Sequence, residues 1–458
     1  MMDLIGRTLD HLSQQLPGRI SKPGDSGYAA ATAIWAKPVG SMPRAIVHCR
    51  TPKDVQIAIR TAQDGQLPLS VRGGGHDWAG RALCGGIVID VSGMNGVTIG
   101  SDFRTVQISG GARAADVLAV TDPIGLAAVT GSCSAVGMTG LTLGGGYGAL
   151  IGRFGLALDN LLAAEIVLAD GRIVTAKHDE EEELFWALRG GGGNFGVVTS
   201  MQHRLHNLTS VRSGMLLFPF ADARPVLDGC IDIAVSAPDE LTVQLGTVFG
   251  PDGIPAVIVV PTWSGAPNEG EARLAPFLRL GKVISSTTGT MPLGKHLSIF
   301  DPFIVNGQRV LMETCWLPSL GSSSIDVLVQ ATVIAASPGC AIFTHEFKGA
   351  ASRVPRDATA FGLRRDHVLV EILAAFTDRS DPLEEQRHQQ WAQTTLNAFS
   401  RLALPGGYPN ILPSGSPERA AESFGSNVER LIKAKRQYDR DNVFASALPL
   451  PLAQRTAR

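Results

Sequence analysis

Three glycine-rich segments hold the side chains of this sequence best suited to chemistry. Arg72-Gly73-Gly74-Gly75-His76-Asp77 carries an imidazole. Gly131-Ser132-Cys133-Ser134-Ala135-Val136-Gly137-Met138-Thr139-Gly140 carries a thiol and leads into Leu143-Gly144-Gly145-Gly146-Tyr147-Gly148. The third is Gly190-Gly191-Gly192-Gly193-Asn194-Phe195-Gly196. Glycine suits positive φ and close ligand approach, and clustered amides form concave nests for phosphate. Of the 52 glycines, 27 lie between positions 70 and 200, which points to a phosphate-bearing cofactor held against the backbone of the first half.

The elements around these segments decide between cofactor classes. Leu67, Leu69 and Val71 alternate with polar neighbours, so a strand feeds the first loop. Strands are also expected over 87–91 and 105–108, with a helix over 112–120. Asp170-Gly171 between two apolar runs, 164–168 and 172–176, reads as a hairpin turn. The literal G-x-G-x-x-G from Gly191 to Gly196 follows a helix expected over 179–189 and precedes a strand at 197–199. A dinucleotide fingerprint needs strand, loop, then helix, so a nicotinamide-type Rossmann domain is rejected. No P-loop motif is present. His203 and His206 fall on opposite faces of the expected strand, and the six cysteines form no CxxC pair, so no metal site is expected.

With 458 residues, 44% hydrophobic and 18% charged, the chain suits two or three packed cores. Forty basic against forty-two acidic residues give no electrostatic reason for a nucleic-acid or membrane partner. No apolar stretch reaches the length of a spanning helix, and the N-terminus lacks a signal-peptide pattern, so a cytoplasmic location is the expectation.

Taken together, these segments resemble the berberine-bridge-enzyme-like FAD oxidases, of the vanillyl-alcohol-oxidase type. Tyr408-Pro409-Asn410 is similar to that family's Y-x-N element, and Phe424 to Phe444 is similar to its closing segment. The resemblance implies an α+β fold. A PCMH-type FAD-binding domain of two α+β subdomains would be built from both chain ends, 1–206 and 405–458. A substrate domain of antiparallel sheet backed by helices would be inserted at 207–404. Within it, strands are expected over 241–249, 256–262, 310–316 and 367–376, and helices over 324–336 and 382–400.

By the same resemblance FAD is bicovalently attached, His76 to the 8α carbon and Cys133 to C6. Imidazole and thiolate are the side chains able to add to an electrophilic isoalloxazine. The cofactor-binding positions implied are Arg72, Gly73, Gly74, Gly75, His76, Asp77, Gly131, Ser132, Cys133, Val136, Gly137, Gly140, Gly146, Tyr147, Gly148, Asn194, Gly196, Val198, Tyr408 and Asn410. Val136 would stand where the family admits oxygen. Tyr408 is the expected base, Tyr147 an orienting or relay residue, and Glu371 an alternative base. The expected reaction is hydride transfer from an alcohol or hemiacetal of a sugar or secondary metabolite, with O2 as final acceptor and H2O2 as product. The alternatives are an FAD-dependent dehydrogenase of a 2-hydroxy acid and a catalytically idle flavin-binding protein.

Overall fold

The computed structural model describes residues 2–37, 40, 42–304, 306–376, 382–413 and 417–451. The first sheet is mostly parallel. Ala45–His48 and Leu69–Arg72 both pair in parallel with Ile87–Asp90, and Ile20–Ser21 adds an antiparallel edge. Ile87–Asp90 is buried along its whole length, as a central parallel strand covered on both faces must be. The helix Pro52–Asp64 covers this sheet. Thr51 and Asp54 close a capping box at its start, with proline in the first turn.

The second sheet is antiparallel, ordered Val97–Ile99, Thr105–Ser109, Gly196–Arg204, Leu161–Leu168, Ile173–Lys177. Asp170-Gly171 turns the last hairpin, with Gly171 at φ +82°. The helix expected over 179–189 spans Glu182–Leu188. Its start is delayed because the Lys177 and Glu180 backbones close a tight turn and Glu181 sits at φ +51°. Helix, glycine loop, then the Gly196–Arg204 strand is the observed order.

The third sheet has nine strands. Its main path runs Ser285–Ser286, Leu216–Pro219, Pro255–Trp263, Leu241–Phe249, Cys340–Phe347, His367–Phe376, Arg309–Leu317, with Val211–Ser213 and Gly289–Met291 at one margin. Every pairing within it is antiparallel. The helices Ala223–Val235, Ser322–Val333 and Pro382–Ser400 cover one face through Val243, Val259, Ile342, Ile372 and their neighbours. Period-two alternation leaves the opposite face to something else.

One apolar core draws on both ends of the chain: Ile108, Leu188 and Phe195 share it with Phe424, Leu431 and Leu448. The core beneath the large sheet comes entirely from positions 216–399. Among the described residues no helix is long and apolar enough to cross a membrane.

Candidate active site

A cavity of about 900 Å³ separates the glycine segments from the uncovered face of the large sheet. That volume lies in the range that holds cofactors and small ligands. The floor explains the glycines. A Cβ on Gly74 would stand 2.6 Å from the Gly137 Cα, and one on Gly137 would stand 2.8 Å from the Gly74 nitrogen. The His76 and Cys133 loops therefore pack backbone against backbone, which brings Cys133 Sγ within 3.9 Å of His76 Nε2. Gly140 faces open space. Gly191, Gly192 and Gly193 line the far end with Ser446, Ala447 and Leu448. An elongated glycine-walled cleft, with an imidazole and a thiol side by side at one place, fits FAD.

Both reactive groups are neutral at rest. Burial holds His76 down to about 4, between Trp35 and Trp78. Burial pushes Cys133 up to about 12, against the pull of the Ala135 and Val136 N–H groups. Ionising that thiol at pH 7 would cost about 7 kcal/mol. A free thiolate is accordingly not what makes this cysteine special; its placement is.

The two tyrosines meet at 4.8 Å, edge to face. The Tyr408 hydroxyl oxygen accepts the Gly146 N–H and the Asn410 Nδ2–H, both at 2.9 Å. Asn410 also donates to the Leu141 carbonyl. A Cβ on Gly145 would strike the Tyr408 ring at 2.8 Å, so the glycine run is also the bed of the Y-x-N element. Burial pushes Tyr408 up to about 12; the Gly146 and Asn410 donors pull the other way, and Glu371 adds to the rise. The Tyr147 hydroxyl donates to His367 Nε2 at 2.5 Å, while His367 Nδ1–H donates to the Arg365 carbonyl. Burial holds His367 down to about 3 and Tyr147 well above the usual phenol range.

Glu371 reaches the cavity from the large sheet, 3.4 Å from His345 Nε2. Gln244 lies 3.4 Å from the same nitrogen. Of the expected positions, Gly73, Gly74, Gly75, His76, Asp77, Gly131, Ser132, Cys133, Val136, Gly137, Gly140, Tyr147, Gly196, Val198, Glu371, Tyr408 and Asn410 line the cavity. Four stand behind its wall. Arg72 is buried on Asp90. Gly146 supports Tyr408. Gly148 abuts the Thr130 carbonyl. Asn194 ties the third glycine loop to Leu448 and accepts from the buried Lys435 ammonium. Asp77 spends its carboxylate on the Ala79 and Ala82 amides.

Sequence reasoning missed Gln244, His345, His367 and Arg81, whose guanidinium bonds the Pro409 and Leu412 carbonyls and so pins the Y-x-N turn. His203 is buried 3.5 Å from the Thr142 hydroxyl, and His206 stacks on Phe154.

The "FAD binding domain" family model matches residues 43–177, and the "Berberine and berberine like" model matches 407–451. The FAD-linked oxidoreductase OXR1 of Pyricularia oryzae is 30% identical, over 94% of this chain and 89% of its own length. The FAD-linked oxidoreductase YgaK of Bacillus subtilis is 28% identical, over 96% and 98%. The crystal structure of 6-hydroxy-D-nicotine oxidase from Arthrobacter nicotinovorans superposes with a TM-score of 0.85 at 27% identity, covering 95% of this chain and 98% of that one. Glycine floor, paired His76 and Cys133, and whole-length likeness agree: the chain belongs to the berberine-bridge-enzyme-like family of FAD-linked oxidoreductases.

Proposed function

We propose that this protein is an oxidase that removes a hydride and a proton from an alcohol or hemiacetal carbon. Bound FAD would supply the hydride acceptor and pass the electrons to O2, giving H2O2. Residues 1–206 and 405–458 would hold the cofactor, and 207–404 the substrate. His76 would attach at 8α and Cys133 at C6; their 3.9 Å separation supports bonds to one edge of a single ring system. Val136 lines the cavity three residues after Cys133 and is small enough to leave a path for O2.

The observation that carries the reading is the environment of Tyr408. Its oxygen faces two preorganised N–H donors, the arrangement that stabilises the phenolate able to take a proton. A free phenolate at pH 7 would cost about 7 kcal/mol against a phenol near 12. To act as the base Tyr408 would first give up its own proton to solvent; the phenolate then takes the substrate hydroxyl proton as the C–H bond breaks, and ends as the phenol. Tyr147, its own proton committed to His367, would orient Tyr408 through their edge-to-face contact and leave the substrate hydroxyl proton to Tyr408. The same two donors on Tyr408 argue against an idle flavin carrier.

The test is the mass of the acid-denatured protein beside the His76→Ala and Cys133→Ala variants and the double variant, followed by peroxide assay on an alcohol panel. The expected result is one retained FAD, released only when both side chains are removed, and peroxide in proportion to substrate. A bare polypeptide mass after flavin supplementation would sink the attachment. Flavin reduction with no faster reoxidation in oxygen than free flavin would make the enzyme a dehydrogenase.

A further inference from the structure

The uncovered face of the large sheet forms the cavity's ceiling, and its chemistry is lopsided. Gln244, His345 and Glu371 stand on three adjacent strands, Gln244 directly opposite His345 and Glu371 beside it. They gather near the reacting end, because the Glu371 charge is felt at His76, Cys133 and Tyr408. Beyond them the register is apolar. Phe343, Gly246, Ile258 and Leu217 follow one another across the strands, with Leu373 and Met312 beside Phe343. From Phe343 to Leu217 the strip crosses three strand spacings, about 14 Å.

Among the described residues no lysine or arginine of the cavity lining lies on this face; the one such residue in that lining, Arg81, is committed to two carbonyls on the floor. We propose that the substrate is an uncharged alcohol on an apolar fused-ring body, its hydroxyl among Tyr408, His345 and Glu371 and its rings along the Phe343–Ile258–Leu217 strip. This rests on the oxidase reading above and narrows it. An oligosaccharide laid there would leave hydroxyls facing apolar side chains, each costing about 1–3 kcal/mol unpaired. A 2-hydroxy acid would bring its carboxylate beside Glu371 with no lysine or arginine of the described lining on that face to meet it.

Calorimetric titration of the holoenzyme with benzyl alcohol, 2-naphthalenemethanol, 2-anthracenemethanol, cellobiose and mandelate tests the assignment. Kd should tighten at least about fivefold with each added ring, and cellobiose and mandelate should bind more weakly than benzyl alcohol. Ile258→Gln and, independently, Leu217→Ser should each cut the anthracene-over-benzyl preference at least about tenfold, leaving benzyl alcohol within about twofold. A flat ring series, tighter cellobiose, or a preference untouched by both substitutions would overturn the proposal. Anaerobic bleaching of the flavin separates the two readings. A ring gradient without bleaching sinks the oxidase and spares the ceiling. Bleaching by cellobiose without a gradient sinks the ceiling and spares the oxidase.

Discussion

At the scale of single residues, hydrogen-bond direction and burial assign different work to the two tyrosines. Tyr147 gives its proton to His367 Nε2, and His367 is fixed as acceptor there because Nδ1–H points at the Arg365 carbonyl. Moving that proton onto a ring held down to about 3 is far uphill from a phenol raised well above its usual range. Tyr147 thus keeps its proton. Tyr408 receives two N–H donors and has an oxygen prepared for negative charge. Tyr408→Phe is expected to slow anaerobic flavin reduction about 100- to 10,000-fold with the flavin still attached, the usual loss for a general base. Tyr147→Phe should cost about tenfold or less. A larger loss from Tyr147→Phe than from Tyr408→Phe would exchange their roles. The tyrosines were visible in the sequence because their neighbours form motifs. His345 was not, since Cys340–Phe347 mixes Thr344, His345 and Glu346 with apolar residues, and nothing local says which of the three looks into a cavity.

At the scale of elements, the glycine loops are fitted to one another as much as to a ligand. Gly74 and Gly137 meet through backbone atoms that have no flexible end to move aside. Gly74→Ala should therefore destabilise the apoprotein by about 1–3 kcal/mol, as overpacking does. Gly140→Ala is the contrast. It lies inside the Met138–Gly144 helix with nothing within 4 Å, so alanine there should stabilise the helix by about 0.5–1 kcal/mol while intruding on the cofactor's space. Thermal midpoints of the two apoproteins, with flavin content after expression, check the pair. An apoprotein left undisturbed by Gly74→Ala would mean that the glycines serve the ligand alone. A second element-scale device is the Lys435 ammonium, which donates to Asn194, Asp439 and Phe444 and so ties the C-terminal helix to the third glycine loop. Lys435→Met should cost about 3–5 kcal/mol by stranding a buried Asp439, and limited proteolysis should then cut the C-terminal segment first. If cleavage is unchanged, the clamp is not what holds that segment. These long-range couplings explain the limits of reading elements from sequence. The Asp170-Gly171 hairpin and the 241–249 and 367–376 strands were legible, being local patterns. The start of the 182–188 helix was not, because a turn through Lys177 and Glu180 displaced it.

At the scale of the whole molecule, burial of neutral imidazoles links stability to pH. His203 and His296 are held down to about 4 and His367 to about 3, all by burial, and the Nδ1 atoms of His203 and His296 have no partner to share a charge. In the unfolded chain each would titrate near 6.5. Between about pH 6.5 and 4 the unfolded state therefore binds more protons than the folded one, and stability falls as the pH falls. His203 and His296 each contribute up to about 3 kcal/mol and His367 up to about 5 kcal/mol, fully present above 6.5 and lost on approach to each folded value. Near pH 5.5 these three together contribute a slope of about 4 kcal/mol per pH unit, and His206, also held down to about 4 by burial, adds to it. Glu313 and Glu346, which burial pushes up, work in the opposite sense at the acid end of this range, so single substitutions are needed to isolate the imidazoles. Urea unfolding of the holoenzyme at pH 7.0, 6.0 and 5.5 should show the decline. His296→Gln should flatten it by about one proton, or about 1.4 kcal/mol per unit. An unchanged slope in that variant would mean that His296 is already protonated when folded, and that some other group faces it within the core.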